Sequence, residues 1–267
     1  MTRVFVSGVG VLGPGLISWP LARDVLSGRH PYEREELALP APEILSGRER
    51  RRSSATVRLA LNVAHEAIQQ AGIAPSDVAT VFGSSNGSGL EIHQILTALR
   101  HAEMLVSPTL FHNSVHNSAV GYWCIAIGNH QPSTSIACHD FTFAAAMMKA
   151  CAQASVENRP VLLTVFDCPL PAPLHQKRPL SETMGIALVI EPEHDGRSIC
   201  KIDLTWSAGE SEGQPSKMES PSLERLRLGT PAGRVLPLLS LLAQEKTGEL
   251  RFSYPESGQL RIAMDLC

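Results

Sequence analysis

The 267-residue sequence predicts an α/β fold in layers. Three observations carry this. Short, almost continuously apolar runs recur at Val78–Phe82, Val161–Phe166 and Ile186–Glu191, as strands covered on both faces require. Between them lie Ala-rich segments with apolar residues at helical spacing. Glycine, proline and asparagine punctuate the boundaries. The composition agrees. The chain is 43% hydrophobic, 18% charged and 5% aromatic, with a net charge of -3. This excludes a disordered chain, which carries more charge and less apolar content. It also offers no global electrostatic basis for binding nucleic acid.

Taken in order, Arg3–Gly8 reads as a strand, because Val4, Phe5 and Val6 run without interruption, and Gly8–Gly15 reads as a glycine-rich loop. Residues 31–50 hold Pro31, Pro40 and Pro42 and read as irregular. A helix follows over Ser54–Ala71, with Val57, Leu61, Ala64 and Ile68 on one face, a serine to cap its start and Gly72 beyond its end. After the Val78–Phe82 strand and the loop Gly83–Gly89, Leu90–Glu103 reads as an amphipathic helix. Asn117–Gly128 is apolar nearly all round, which predicts a buried or interfacial helix. Ser133–Ala137 reads as a strand, Phe141–Val156 as a helix, and 207–222 as a surface loop or linker. Near the end come a helix over Ala232–Gln244 and a hairpin from Glu249–Tyr254 and Gln259–Asp265.

Several patterns invite a chemical reading. Gly8-Val9-Gly10-Val11-Leu12-Gly13 has the spacing of a dinucleotide-binding turn. Pro14 and Gly15 block a helix from opening there, and no Asp or Glu ends a second strand about 20 residues later, so a tight strand-exit loop is the better account. His112 and His116 stand four apart, but spacing indicates neither a third zinc ligand nor a catalytic Glu, so no metal site is expected. The six cysteines lack C-x-x-C spacing and read as free thiols. The N-terminus lacks the apolar segment of a secretory signal, and no apolar run is long enough to span a membrane, so a soluble cytoplasmic protein is expected. Cys138 sits where a strand turns into a helix. A thiol there is exposed and lies at the positive end of the helix, which lowers its pKa and suits a nucleophile; from the residues alone a plain turn or buried cysteine reads equally well. Arg48, Arg50, Arg51 and Arg52 form a tight basic run.

The order of motifs resembles that of β-ketoacyl synthases over roughly residues 1–192. VFVSGVGVLGPG (4–15) resembles their first strand and glycine turn. SPTLFHNSVHNSAVGYWCIAIGNHQPSTSIAC (107–138) resembles the stretch from the substrate-pocket loop, through the dimer-interface helix, to the nucleophile turn. KRPL (177–180) followed by GIALVIEPE (185–193) resembles the close of their N-terminal half. The resemblance implies a thiolase-like layered α-β-α fold in truncated form, with a ketosynthase-like N-terminal domain (1–192) and a reduced C-terminal segment (193–267) of loop, helix and hairpin. Nothing beyond residue 200 resembles the family's two histidine motifs, and its Gly-Phe-Gly-Gly loop is missing. Claisen condensation needs those oxyanion and enolate donors as well as a thiolate.

The chain is therefore similar to a chain-length-factor-type subunit, like the short ketosynthase-like proteins of bacterial aryl-polyene clusters. The resemblance implies that it is not an enzyme alone and needs no cofactor. It implies a heterodimer with an active ketosynthase that works on chains tethered to an acyl carrier protein. Tyr122 and Trp123 are the bulky residues that would plug the partner's tunnel, while Ser118 and Ala119 would leave room. Phe141, Thr142 and Phe143 should lie nearby, and the Arg48–Arg52 run would attract the acidic carrier. The alternative is a self-sufficient thiol acyltransferase using Cys138, with a base from His112, His116 or His139.

Overall fold

The computed structural model describes residues 1–101, 103–208, 213–256 and 258–267. Its centre is one eight-stranded sheet. The strands are β1 (Thr2–Leu12), β2 (Ala79–Gly83), β3 (Ser133–Ile136), β4 (Val161–Asp167), β5 (Met184–Glu191), β6 (Cys200–Ser207), β7 (Gly248–Ser253) and β8 (Gln259–Leu266). Their spatial order is β3-β2-β4-β5-β1-β6-β8-β7. β3, β2 and β4 run parallel, and every other pairing is antiparallel.

The helices are α1 (Trp19–Leu26), α2 (Gly47–Arg52), α3 (Ala55–Ala71), α4 (Gly89–Ala98), α5 (Pro108–Ser114), α6 (Ser118–Ile127), α7 (Thr142–Glu157), α8 (Leu174–Lys177), α9 (Pro221–Gly229) and α10 (Leu236–Ala243). Two buried clusters lie on opposite faces of the sheet. One joins β1, β4, β5 and the C-terminal strands to α1, α7, α9 and α10. The other joins the sheet to α3 and α6. The alternation along β4 divides them: Val161, Leu163 and Val165 enter the first, Leu162 and Phe166 the second. This is the α-β-α layering the sequence predicts.

β1 shows why its sequence misleads. The strand runs through the glycine motif to Leu12, so Gly8–Leu12 is not a loop. A break in register between Val6 and Gly8 lets Val4, Val6, Val9 and Val11 all enter one cluster. It also turns Gly8 and Gly10 toward α3. A Cβ on either would collide with a backbone carbonyl oxygen of α3, that of Ala67 or Val63. The glycines let helix and strand touch and do not form a phosphate cradle.

α3 begins where Ser54 Oγ accepts the Val57 N–H at 3.2 Å and ends at Gly72, with φ +64°. α4 stops at Ala98, short of the predicted Glu103.

The sheet does not end at β5. β6 pairs along β1 on the side opposite β5, and the predicted hairpin, observed as β7 and β8, continues from β6. β6, β7 and β8 thus extend the same sheet and share its first core cluster. A 3-10 turn, Ala232–Val235, leads into α10. The sequence reading does not anticipate β6 or α9. Within the loop read at 207–222, residues 209–212 lie outside the described residues, and α9 begins at Pro221.

Candidate functional site

The parallel strands β3, β2 and β4 end side by side, where α/β sheets place their chemistry. Three loops emerge there: Ser84–Ser88, the Cys138 turn, and the segment after Asp167. At the turn, the Cys138 N–H donates to Thr142 Oγ1 at 3.1 Å. Thr142 Oγ1 donates to the His139 carbonyl at 2.7 Å, and the Phe141 N–H donates to the Cys138 carbonyl at 2.9 Å. This network holds His139 at φ +49°.

The structure corrects the expectation of an activated thiol. A 3-10 turn, His139–Phe141, separates Cys138 from α7, so the sulfur does not cap that helix. Cys138 is half-buried, and burial pushes its thiol above the ordinary range. His139 turns to solvent, with Nδ1 at 3.5 Å from Asp140 and 3.4 Å from the Arg178 guanidinium. Among the described residues, no imidazole is hydrogen-bonded to Cys138. His116 Nε2 lies 2.8 Å from the Ser84 carbonyl, and His112 stacks edge-on with Tyr122 at 5.5 Å, so the two histidines make separate contacts. His175 lies in the short helix α8.

Asp167, which sequence reasoning misses, anchors this end of the sheet. It is wholly buried. Its Oδ1 accepts from Ser84 Oγ (3.1 Å), the Ser85 N–H (2.8 Å), Ser85 Oγ (3.0 Å) and the Asn86 N–H (3.2 Å). Oδ2 has no partner among the described residues. Burial outweighs the four bonds and pushes the carboxyl up to about 6. Arg178 ties this loop to the turn: it donates to Asp140 Oδ1 at 2.7 Å and reaches Ser85 Oγ at 3.4 Å. Arg178 belongs to the KRPL motif, and that motif is the signal that points to it.

The remaining candidates divide across the sheet. On the α3 and α6 side, a cavity of about 490 Å³ is lined by Ser118 and Tyr122 of α6, His112 and Pro108 of α5, and Arg52. Burial raises the Tyr122 hydroxyl. Ala119 and Trp123 turn inward instead. Trp123 is 1% exposed within the second cluster, so it is a core side chain and not a surface plug. α7 occupies the other face. Phe143 is buried there, Thr142 serves the turn, and Phe141 lines a separate cavity, so these three do not meet Tyr122.

The basic run forms the helix α2, with a reciprocal cap between Ser46 and Glu49. Arg48, Arg51 and Arg52 are exposed, and Arg50 donates to the Leu45 carbonyl at 3.0 Å. α4 turns apolar residues outward: Leu90, Ile92 and Leu96, and Leu99 just past its end, are exposed while Glu91 is buried. Leu105, Phe111 and Ile125, in and around α5 and α6, are exposed by 73%, 66% and 69%.

No helix among the described residues is long and apolar enough to cross a membrane. The fold matches a known class. The sequence profile of the β-ketoacyl synthase N-terminal domain matches residues 27–229, about three quarters of the chain, and the chain belongs to that family. No curated protein matches it in sequence. Among solved structures it is similar to a chain of the ketosynthase ApeO in complex with its chain length factor ApeC from Xenorhabdus doucetiae, at 21% identity and TM-score 0.71, covering 98% of this chain and 99% of that one. It is also similar to the ishigamide ketosynthase/chain length factor, at 12% identity and TM-score 0.74, covering 100% and 99%. A third likeness is to the AntDE:AntF complex of a type II polyketide acyl carrier protein with its ketosynthase, at 11% identity and TM-score 0.75, covering 100% and 99%. At these identities the likenesses show the fold, a thiolase-like one.

Proposed function

We propose that this chain is a non-catalytic, chain-length-factor-like subunit. In this reading it pairs with an active β-ketoacyl-[acyl-carrier-protein] synthase in the cytoplasm and shapes its acyl tunnel, in aryl-polyene, type II polyketide or fatty-acid-like biosynthesis. The outward-facing apolar side chains of α4, Leu105, Phe111 and Ile125 carry this reading. Exposed apolar side chains on the adjoining helices α4, α5 and α6 suit a face that another protein covers. Among the described residues no base is bonded to Cys138, and this, together with its raised thiol, argues against chemistry on this chain alone.

The cavity beside α6 supplies a place for the tunnel, with Tyr122 and Ser118 on its wall. Arg52 lines that cavity, and with the exposed Arg48 and Arg51 of the same helix it supplies cations for an acidic carrier protein, which opposite charge would steer toward it.

Co-expression with ketosynthases of the aryl-polyene type tests the reading. A stoichiometric complex is expected, which the double variant Phe111→Asp, Ile125→Asp loses while the chain itself stays folded. A stable monomer that captures no ketosynthase, or stoichiometric acylation of the isolated chain at Cys138, would overturn it.

A further inference from the structure

A cavity of about 350 Å³ opens between the Cys138 turn, α9, the 3-10 turn before α10, and β7. That is the size of a small-molecule site. Its floor is apolar: Phe143 and Phe252 meet edge-on at 5.2 Å, and both are buried. Its walls are cationic. Arg227, Arg234, Arg251 and Lys217 line it against a single carboxylate, Asp140, which Arg178 already engages at 2.7 Å.

The cations differ in what they hold. Arg227 is committed to Glu224 through two bonds of 2.6 Å. Arg251 donates one nitrogen to Glu249 at 2.8 Å, but its buried Nε has no partner among the described residues. Arg234 is half-buried and has no hydrogen-bond or ion-pair partner among the described residues. Burial, and then the neighbouring Arg227, hold its guanidinium below the ordinary arginine value. An unpaired guanidinium in such a place is costly until an anion meets it.

We propose that this cavity binds an amphipathic organic anion, with a carboxylate or phosphate head on Arg234 and an apolar body against Phe143 and Phe252. The planar fork of arginine suits either head. The site is built mostly from residues 214–253 and does not rest on the subunit reading above.

Calorimetric titration of the full chain tests this with octanoate and with octyl phosphate below its micelle concentration. 1-Octanol and inorganic phosphate serve as the body-only and head-only controls. One or both amphiphiles should saturate at one per chain, and the preferred one identifies the head. Arg234→Gln should weaken that binding roughly ten- to hundred-fold, the range of a charge-assisted bond. Arg234→Lys should retain more of it than Arg234→Gln. Lys217→Gln, on the exposed rim, should cost roughly two- to five-fold and gives a second variant if Arg234→Gln fails to fold. The proposal falls if neither amphiphile saturates or if octanol binds as tightly as octanoate. It falls equally if inorganic phosphate matches octyl phosphate, or if folded Arg234 and Lys217 variants bind like the native chain.

Discussion

Asp167 should make this protein lose stability as pH rises from about 4 to about 6. Its carboxyl titrates at about 6 in the folded chain, against 3.8 for an ordinary aspartate. A raised acid binds its proton more tightly folded than unfolded. Its contribution is therefore fully present below the unfolded value and is lost as pH climbs through the folded one. The separation of about 2 units corresponds to about 3 kcal/mol at 1.36 kcal/mol per unit. Other buried carboxylates act in the same direction: Glu66, Glu91 and Glu191 are each raised by burial. Asp167→Asn isolates the one of interest, because asparagine imitates the protonated acid and does not titrate. Urea unfolding of both proteins at pH 4, 5, 6 and 7 gives the measurement. The stability of the native chain relative to the variant should fall by about 3 kcal/mol across that range. A difference that stays flat, or that rises with pH, would refute the placement of Asp167 as a buried, under-bonded acid.

Three further outcomes follow from other parts of the molecule. Gly10→Ala should cost about 1–3 kcal/mol in urea unfolding, because its Cβ meets the Val63 carbonyl and α3 must move; an unchanged midpoint would mean that the strand and helix are not in contact there. Cys138 should react with iodoacetamide more slowly than free cysteine at pH 7, with its rate still climbing past pH 9, as mapped by mass spectrometry; rapid labelling at neutral pH would contradict the raised thiol. Tyr122→Ala and Trp123→Ala should part ways. The first is expected to change product length in the ketosynthase complex, whereas the second should chiefly destabilise the chain by about 3–5 kcal/mol, since Trp123 is core; unchanged product length for Tyr122→Ala removes it as a gate.

What could be read from the sequence depended on how local the cause was. α3 was legible from end to end, because its periodicity, its Ser54 cap and its Gly72 stop are all written within the segment. β1 was not. A run of glycines reads as a loop until a helix is known to press on it, and α3 comes 43 residues after β1 ends. α4 gave its period but not which way it faces, since its apolar residues are exposed and its buried positions are Gly89 and Glu91. β6 carries a period-two signal, with Cys200, Ile202 and Leu204 buried between Lys201, Asp203 and Thr205, which a boundary at residue 192 hides. At the candidate site, the Cys138 turn was legible as a position, because strand and helix signals bracket it. The state of its thiol was not, because burial is set by distant segments. Asp167 was invisible for the same reason: its four bonds reach back more than 80 residues to Ser84, Ser85 and Asn86.

The two ends of the sheet are unlike. β7 closes one end with Glu249 and Arg251, which pair with each other and, through Glu249, with Arg261 of β8. β3 closes the other with Ser133, Thr134, Ser135 and Ile136 and no charge. Charged edges resist the addition of foreign strands, and bare ones invite it. Any edge-to-edge pairing of this sheet is therefore self-limiting. Once two chains of this design meet along β3, only charged edges remain, and growth stops at a pair instead of running on into a fibre.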